Sequence, residues 1–179
     1  MKIRWASHED CKSILDIYQF YVLNTAITFE YNVPDLEEMK RRMTSIQSRY
    51  PFLVAELQNK TVGYAYATDF RHRAAYQWSP ESTIYLHKDF LGKGIGIKLY
   101  QKLLEILKEQ GYYNVFGGVA LPNDPSVSLH LKCGFKEVGV YENIGYKIGK
   151  WHSTKWFQLV LTKHKTDPAL PKSISEIKI

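Results

Sequence analysis

The feature that most constrains the fold is a strand followed by a glycine-rich turn and a long amphipathic helix. The apolar segment 82–86 (STIYL) leads to Gly92, Gly94 and Gly96, and apolar residues then recur at helical spacing as far as Gly111. Glycine lets the backbone approach a ligand closely, and the free amides of a helix N-terminus attract anions. The pattern therefore predicts either a phosphate-binding turn in an α/β protein or a turn that only tightens strand-to-helix packing.

Two common phosphate-binding motifs do not fit the glycine-rich turn. A Walker loop ends in Gly-Lys-Ser/Thr, whereas residues 97–99 are Ile-Lys-Leu. A dinucleotide fingerprint that starts at Gly92 or Gly94 needs glycine at position 97 or 99, and both positions are apolar. The turn therefore belongs to neither of these nucleotide-binding classes.

The composition is that of one globular domain with excess positive charge. The 179 residues are 45% hydrophobic, and 24 Lys and Arg against 18 Asp and Glu give a net charge of +6. This excludes a disordered chain and favours an anionic partner, which the charge alone does not identify as nucleic acid, membrane or phosphorylated small molecule. Two cysteines, Cys11 and Cys133, are too few for a disulfide framework, which fits a reducing compartment. No apolar run is long enough to span a bilayer, so we expect a cytoplasmic protein.

Apolar periodicity along the rest of the chain predicts alternating strands and helices. We expect a single α/β domain over residues 1–163 and a loosely held tail over residues 164–179, because the tail lacks periodicity. The predicted strands are 2–6, 52–57, 61–70, 82–86, 114–120, 137–146 and 156–162, and the predicted helices end near residues 23, 46, 110 and 133.

Several segments of the chain resemble one known family. The segment YLHKDFLGKGIGIKLYQKLL resembles the coenzyme A loop of the GCN5-related N-acetyltransferases (GNAT), with Gly94 and Gly96 as its glycines and Leu91 in place of Gln or Arg. NTAITFE at 24–30, AYQW at 75–78 and GYKIGKW at 145–151 resemble the phosphinothricin acetyltransferase-like subgroup. The resemblance implies the GNAT fold, a mixed and mostly antiparallel central sheet of about seven strands flanked by helices in one domain.

The resemblance also implies a cosubstrate and partners. It indicates acetyl-CoA, no metal, a small amino-acid-like amine, no nucleic acid or membrane partner, and a homodimer, which is common in the family. An amide of Tyr85 or Leu86, freed by a strand bulge, is expected to stabilise the oxyanion. Asn123 resembles the family's Asn that bonds to the pantetheine arm; its alternative role is a helix N-cap, and the two roles are compatible. The residues that match cofactor-binding positions are Ile84, Tyr85, Leu86, Gly92, Lys93, Gly94, Ile95, Gly96, Ile97 and Asn123.

Two side chains are candidates for proton transfer. Glu81 lies just ahead of the segment 82–86, and the resemblance implies that it is the general base that removes a proton from the attacking amine. From its position alone, Glu81 is instead expected to be a solvated charge at a strand end. His130 matches the family's position for a proton donor, and the alternative is a packed histidine with both nitrogens satisfied.

The candidate substrate-binding residues are Phe29, Arg71, Arg73 and Tyr76. The resemblance places the basic pair against the acidic end of the substrate, and a guanidinium suits a carboxylate or phosphinate. The alternative for these arginines is a solvated basic loop. Two rival functions stay open: acetylation of peptide or protein N-termini, and a non-catalytic acyl-CoA sensor or nucleic-acid-binding module.

Overall fold

The computed structural model describes residues 1–177, which form an open sheet of seven strands with helices on both faces. The strands lie in the order β1-β2-β3-β4-β5-β7-β6. Their bounds are β1 Lys2–Trp5, β2 Phe52–Leu57, β3 Lys60–Asp69, β4 Pro80–Leu86, β5 Asn114–Ala120, β6 Lys136–Lys147 and β7 Lys150–Val160. The helices are α1 Cys11–Asn24, α2 Leu36–Gln47, α3 Ile95–Gln110 and α4 Asp124–Lys132.

The side-chain alternation of strand β2 divides the core into two layers. Leu53 and Ala55 pack with the apolar residues of α3, whereas Phe52 and Val54 pack with those of α1 and α2. Successive residues of a strand point to opposite faces, so α3 lies on one face of the sheet and the α1–α2 pair on the other. Gly111, at φ +95°, ends α3 in the left-handed conformation that glycine readily adopts.

Strands β4 and β5 diverge in the middle of the sheet. Along β4, pairing with β3 is antiparallel and continuous from Pro80 to Leu86. On the other side of β4, the parallel pairing with β5 among the described residues is the single pair Glu81–Phe116. Because residues 82–86 have no register partner on β5, a gap opens between the two strands directly beyond Glu81. The glycine-rich turn and the N-terminus of α3 follow β4.

Most predicted elements are present, with differences at their ends. β4 begins at Pro80, so Glu81 lies within the strand rather than ahead of it. β7 begins at Lys150 rather than near residue 156, because residues 150–155 pair with β6 although most of them are polar. No helix within residues 1–177 is long and apolar enough to cross a bilayer.

Residues 164–177 pack against the domain where the sequence suggested loose attachment, and the last two residues of the predicted tail, 178 and 179, lie outside the described residues. The Lys172 amide donates to the Gln110 carbonyl at 2.7 Å, and the Trp78 indole donates to the Ala169 carbonyl at 2.8 Å. Ile177 is buried in the same apolar cluster as α3. These contacts join the tail to the end of α3, whereas the division of the chain at residue 163 stays a prediction.

Candidate active site

A cleft of about 380 Å³ lies where β4 and β5 begin to diverge. Its volume is in the range of small-molecule sites, and its wall is mainly apolar and aromatic with one acidic and one basic side chain. The lining residues are Ile27, Phe29, Arg71, Glu81, Gly118, Ala120, Tyr141, Ile144, Thr154 and Trp156. Of the residues singled out in the sequence, the cleft thus brings together Phe29, Arg71 and Glu81.

Glu81 has the electrostatics of a proton acceptor that works near neutral pH. Burial raises the pKa of its carboxyl from 4.5 to about 7, and the positive charge of Arg71 opposes the rise. Burial acts in this direction because a low-dielectric environment disfavours the charged form. A carboxylate with a pKa near the working pH combines sufficient basicity with a large ionised fraction.

Of the two predicted substrate arginines, only Arg71 lines the cleft. Its guanidinium lies 5.0 Å from the centre of the Phe70 ring, which in turn stacks on Phe116 of β5 at 4.3 Å. Arg73 is exposed and Tyr76 is 41% exposed, and neither belongs to the cleft wall. Arg71 is also exposed, but it is near enough to Glu81 for its charge to lower the pKa of that carboxyl, while Arg73 and Tyr76 lie on an outer loop.

The glycine-rich turn combines both roles that its sequence allows. Gly92 and Gly94 have φ angles of +72° and +73°, and a Cβ built on either residue would meet no atom within 4 Å. The surface beside Gly92 and Gly94 is thus open, as an anion site at a helix N-terminus requires. A Cβ on Gly96 would instead lie 3.2 Å from the Leu86 side chain, so this third glycine serves helix-to-strand packing.

Some backbone amides of β4 face the gap, although the pairing of β4 with β3 contains no bulge. The register between β3 and β4 runs without a shift, and the His87 amide donates to Val62 at 2.9 Å. Alternation of an antiparallel ladder then directs the Tyr85 amide to β3 and the amides of Ile84 and Leu86 to the open side. This corrects the expected bulge, and it makes Leu86 rather than Tyr85 the available donor.

His130 is a buried histidine whose two ring nitrogens both have partners. Nδ1 lies 2.8 Å from the Ser126 carbonyl, and Nε2 lies 3.0 Å from the Tyr100 hydroxyl, which is 2.7 Å from Ser82 Oγ. Burial lowers the pKa of the imidazole. A Cβ on Gly117 would lie 2.5 Å from Nε2, so the ring sits directly against β5. The packing alternative for His130 matches this geometry.

Asn123 occupies the N-cap of α4, where its side-chain oxygen accepts from the Ser126 amide at 3.3 Å. A cap leaves the rest of the side chain available, so a contact with the pantetheine arm stays compatible with it. Lys93 and Ile97 also lie in or next to the glycine-rich turn. The Lys93 ammonium lies 4.8 Å from the centre of the Phe90 ring.

Several cleft residues were not identified from the sequence. Tyr141, Ile144, Thr154 and Trp156 come from β6 and β7, more than 50 positions from Glu81 along the chain. Strand pairing between β5 and β7 brings them to the site, and no local motif announces that pairing. Within residues 1–177, no group of three or more His, Cys, Asp or Glu side chains is arranged to hold a metal ion.

The structure is an α/β fold in which a glycine-rich turn precedes a long helix and a cleft holds the buried carboxyl of Glu81. The family model that describes an acetyltransferase (GNAT) domain matches residues 3–156. The chain therefore belongs to the GNAT acetyltransferase family, and the predicted family, fold and enzyme class are confirmed.

Relatives of known activity align along nearly the whole chain. A phosphinothricin N-acetyltransferase from Streptomyces viridochromogenes is 35% identical over 88% of this chain and 86% of its own length. An L-methionine sulfoximine/L-methionine sulfone acetyltransferase from Salmonella typhimurium is 31% identical over 94% of this chain and 99% of its own length.

Solved structures agree on the fold. A phosphinothricin acetyltransferase from Sinorhizobium meliloti in complex with acetyl-CoA has a TM-score of 0.91 and 34% identity, covering 94% of this chain and 92% of that one. A ribosomal-protein-alanine N-acetyltransferase from Brucella melitensis has a TM-score of 0.87 and 30% identity, covering 89% of this chain and 99% of that one. Relatives with small and with macromolecular substrates thus share this fold.

Proposed function

We propose that this enzyme transfers the acetyl group of acetyl-CoA to the primary amine of a small amino-acid-like substrate, with Glu81 as the general base. The observation that carries the proposal is the carboxyl of Glu81, which lies in an apolar cleft at the mouth of the β4–β5 gap and has a pKa of about 7. The resemblance to acetyltransferases of phosphinothricin and methionine sulfoximine supports the substrate class.

The chain's own residues fit acetyl-CoA. The open space before Gly92 and Gly94 suits the pyrophosphate, and the gap between β4 and β5 suits the extended pantetheine arm. When bound, the cosubstrate supplies the thioester carbonyl that the amine attacks. The Leu86 amide, on the open side of β4, donates to the oxygen on which negative charge develops.

Glu81 removes the proton that the amine must lose. A neutral amine is the nucleophile, whereas a free amino acid carries an ammonium group at neutral pH. The ammonium form loses its first proton to solvent before it reacts, and the ionised Glu81 carboxyl accepts, directly or through one water, the second proton, which the nitrogen loses as it bonds to the acetyl carbon. His130 has no part in this step, because both of its ring nitrogens are engaged inside the protein. The departing thiolate is protonated from solvent in this scheme.

The cleft has groups for the other parts of an amino acid. The Arg71 guanidinium pairs with a carboxylate or phosphinate, and the apolar side chains, among them Phe29 and Trp156, pack against the substrate side chain. Arg73 and Tyr76 attract the acidic end of the substrate at the entrance.

We also propose, from the family resemblance, that the enzyme is a cytoplasmic homodimer. Sedimentation at micromolar concentration tests whether it is a dimer.

Peptide or protein N-termini are the second candidate substrates, since a ribosomal-protein-alanine acetyltransferase shares the fold. The cleft favours free amino acids because Arg71 places a positive charge near Glu81, where a peptide has a neutral amide in place of the α-carboxylate. A thiol-release screen with acetyl-CoA distinguishes the two. We expect release with free amino acids, methionine sulfone, methionine sulfoximine or phosphinothricin; release with short peptides alone, or with none of these amines, would overturn the proposal.

A further inference from the structure

The segment 25–34, which joins α1 to α2, is held in place by the β6–β7 hairpin. The Lys147 ammonium donates to the Thr28 carbonyl at 2.7 Å, and the Tyr31 hydroxyl donates to the Tyr146 carbonyl. Phe29 lies between these two anchors in sequence and lines the cleft. The hairpin therefore contacts the segment on both sides of the one aromatic residue that the segment contributes to the cleft wall.

The Lys147 contact is built into the interior of the protein. Lys147 is only 4% exposed, which is rare for lysine, and its own carbonyl lies 3.0 Å from Nε2 of the buried His152. The His152 ring is 6.3 Å from that of Phe29. Placing an ammonium in a buried position is costly unless it makes a specific contact, and here the recorded contact is the carbonyl of the residue before Phe29.

Gly145 provides the space in which the Phe29 ring lies. A Cβ built on Gly145 would be 2.5 Å from Cζ and 2.7 Å from Cδ2 of Phe29, closer than packed carbon atoms approach. The φ angle of Gly145 is outside the left-handed region, so alanine is allowed there by the backbone. A methyl group at position 145 would therefore act by displacing the ring. Phe29 also lines the cleft, together with Ile144, the residue before Gly145.

We infer that the β6–β7 hairpin sets the size of the substrate side chain that this enzyme accepts, with Gly145 as the specificity-determining residue and Lys147 as a positioning residue that acts through Phe29. The inference rests on the proposed function for the identity of the substrate. Gly145 keeps the Phe29 ring out of the cleft, and Lys147 fixes the backbone from which the ring extends.

Steady-state kinetics with a size series of amino acids test the role of Gly145. We expect Gly145→Ala to raise KM about tenfold for a methionine-sized substrate, with a much smaller effect on an alanine-sized one and none on acetyl-CoA. In the Phe29→Ala background the same substitution should change KM less than twofold, because the displaced ring is absent. Gly149→Ala is the control for KM, since a methyl group at this position of the same hairpin meets no atom within 4 Å; its φ of +73° adds backbone strain, so its Tm is not compared.

Thermal unfolding gives a second readout that needs no activity. Gly145→Ala should lower Tm by about 3 °C or more in the wild-type background and by much less in the Phe29→Ala background, because overpacking requires both groups. Equal Tm losses in both backgrounds, or unchanged size selectivity in an active enzyme, would overturn the inference. If the wild-type enzyme acetylates no amino acid, the proposed function fails, and the Tm cycle still decides whether Gly145 and Phe29 are coupled.

Lys147 is tested by a pair of substitutions that separate its contact from its size. Lys147→Met keeps the length of the side chain but removes the donor to Thr28, and we expect it to raise KM for the amine at least fivefold with kcat and the KM for acetyl-CoA within twofold of wild type. Lys147→Arg retains a donor and should recover part of the loss. A lowered Tm with unchanged KM for the amine would show that Lys147 serves stability alone and would overturn its positioning role.

Discussion

The pH dependence of acetyl transfer is the most detailed consequence of the Glu81 geometry. The carboxyl must be ionised to accept a proton, and burial raises its pKa from 4.5 to about 7. The substrate amine, which is largely protonated below pH 8, contributes a slope of one to the plot of log(kcat/KM) against pH. Glu81 adds a second slope of one below its own pKa. The plot should therefore steepen from slope one to slope two near pH 7.

The size of this effect separates the proposed base from an ordinary surface acid. At pH 5 a carboxyl of pKa about 7 is ionised to about 1%, whereas one at its ordinary value is mostly ionised, a difference of about 75-fold in rate. Glu81→Gln should lower kcat by about 100-fold or more and abolish the bend. Arg71→Gln should move the bend to higher pH, because the positive charge of Arg71 lowers the pKa of Glu81.

The same pKa predicts a change in stability with an unambiguous sign. The folded protein holds the Glu81 proton up to about pH 7 and the unfolded chain releases it near 4.5, so this group makes the wild type less stable as pH rises between those values. The shift corresponds to up to about 3 kcal/mol, at about 1.4 kcal/mol per pKa unit. In urea unfolding, the free energy of unfolding of Glu81→Gln should therefore rise relative to that of the wild type as pH increases over this range. A bend near pH 4.5 in the plot of log(kcat/KM), together with no relative rise in the stability of Glu81→Gln, would contradict a raised pKa of Glu81.

The remaining predictions concern the glycine-rich turn, the outer loop, the buried histidine and the tail. Gly94→Ala, at φ +73°, should raise KM for acetyl-CoA about tenfold and leave KM for the amine unchanged; Gly149→Ala, at the same φ, is the control for backbone strain. Arg73→Ala should raise KM for acidic amino-acid-like substrates more than for acetyl-CoA, and equal effects would indicate lost folding. His130→Phe should lower the free energy of unfolding by about 1–3 kcal/mol and leave the bend in the plot of log(kcat/KM) near pH 7. A displaced bend would show that His130 takes part in proton transfer. A chain ending at residue 163 should lose about 5 °C or more in Tm, because Ile177 is buried and Lys172 bonds to α3; an unchanged Tm would mean that the tail is loosely held.

Local sequence was sufficient for the elements that depend on neighbouring residues. The glycine-rich turn, the helix that ends at Gly111 and the strand 114–120 follow from signals within a few positions. The start of β7 does not, because residues 150–155 carry mostly polar side chains and pair with β6 through their backbone. A strand of this kind has no apolar pattern to detect.

The residues of the cleft also divide into those that the sequence identifies and those that only long-range packing brings to the site. Glu81 and Arg71 could be singled out because they match positions of the family, but their place in one cleft wall with Tyr141 and Trp156 depends on how distant strands pair. The state of His130 also could not be predicted, since its partners Tyr100 and Ser126 become visible only when α3 and α4 are packed together. The pKa of Glu81 likewise follows from burial, which spacing does not reveal.

Formation of an N-acetyl amino acid is the direct readout of acetyl transfer through Glu81. Wild-type enzyme and Glu81→Gln, at matched concentration and saturating acetyl-CoA at pH 8, are incubated with methionine sulfone, and the product is quantified by mass spectrometry. The account predicts N-acetylmethionine sulfone from the wild type and at least about 100-fold less from Glu81→Gln, which should still bind acetyl-CoA with unchanged affinity. Equal product from both enzymes would show that the carboxyl of Glu81 is not the base.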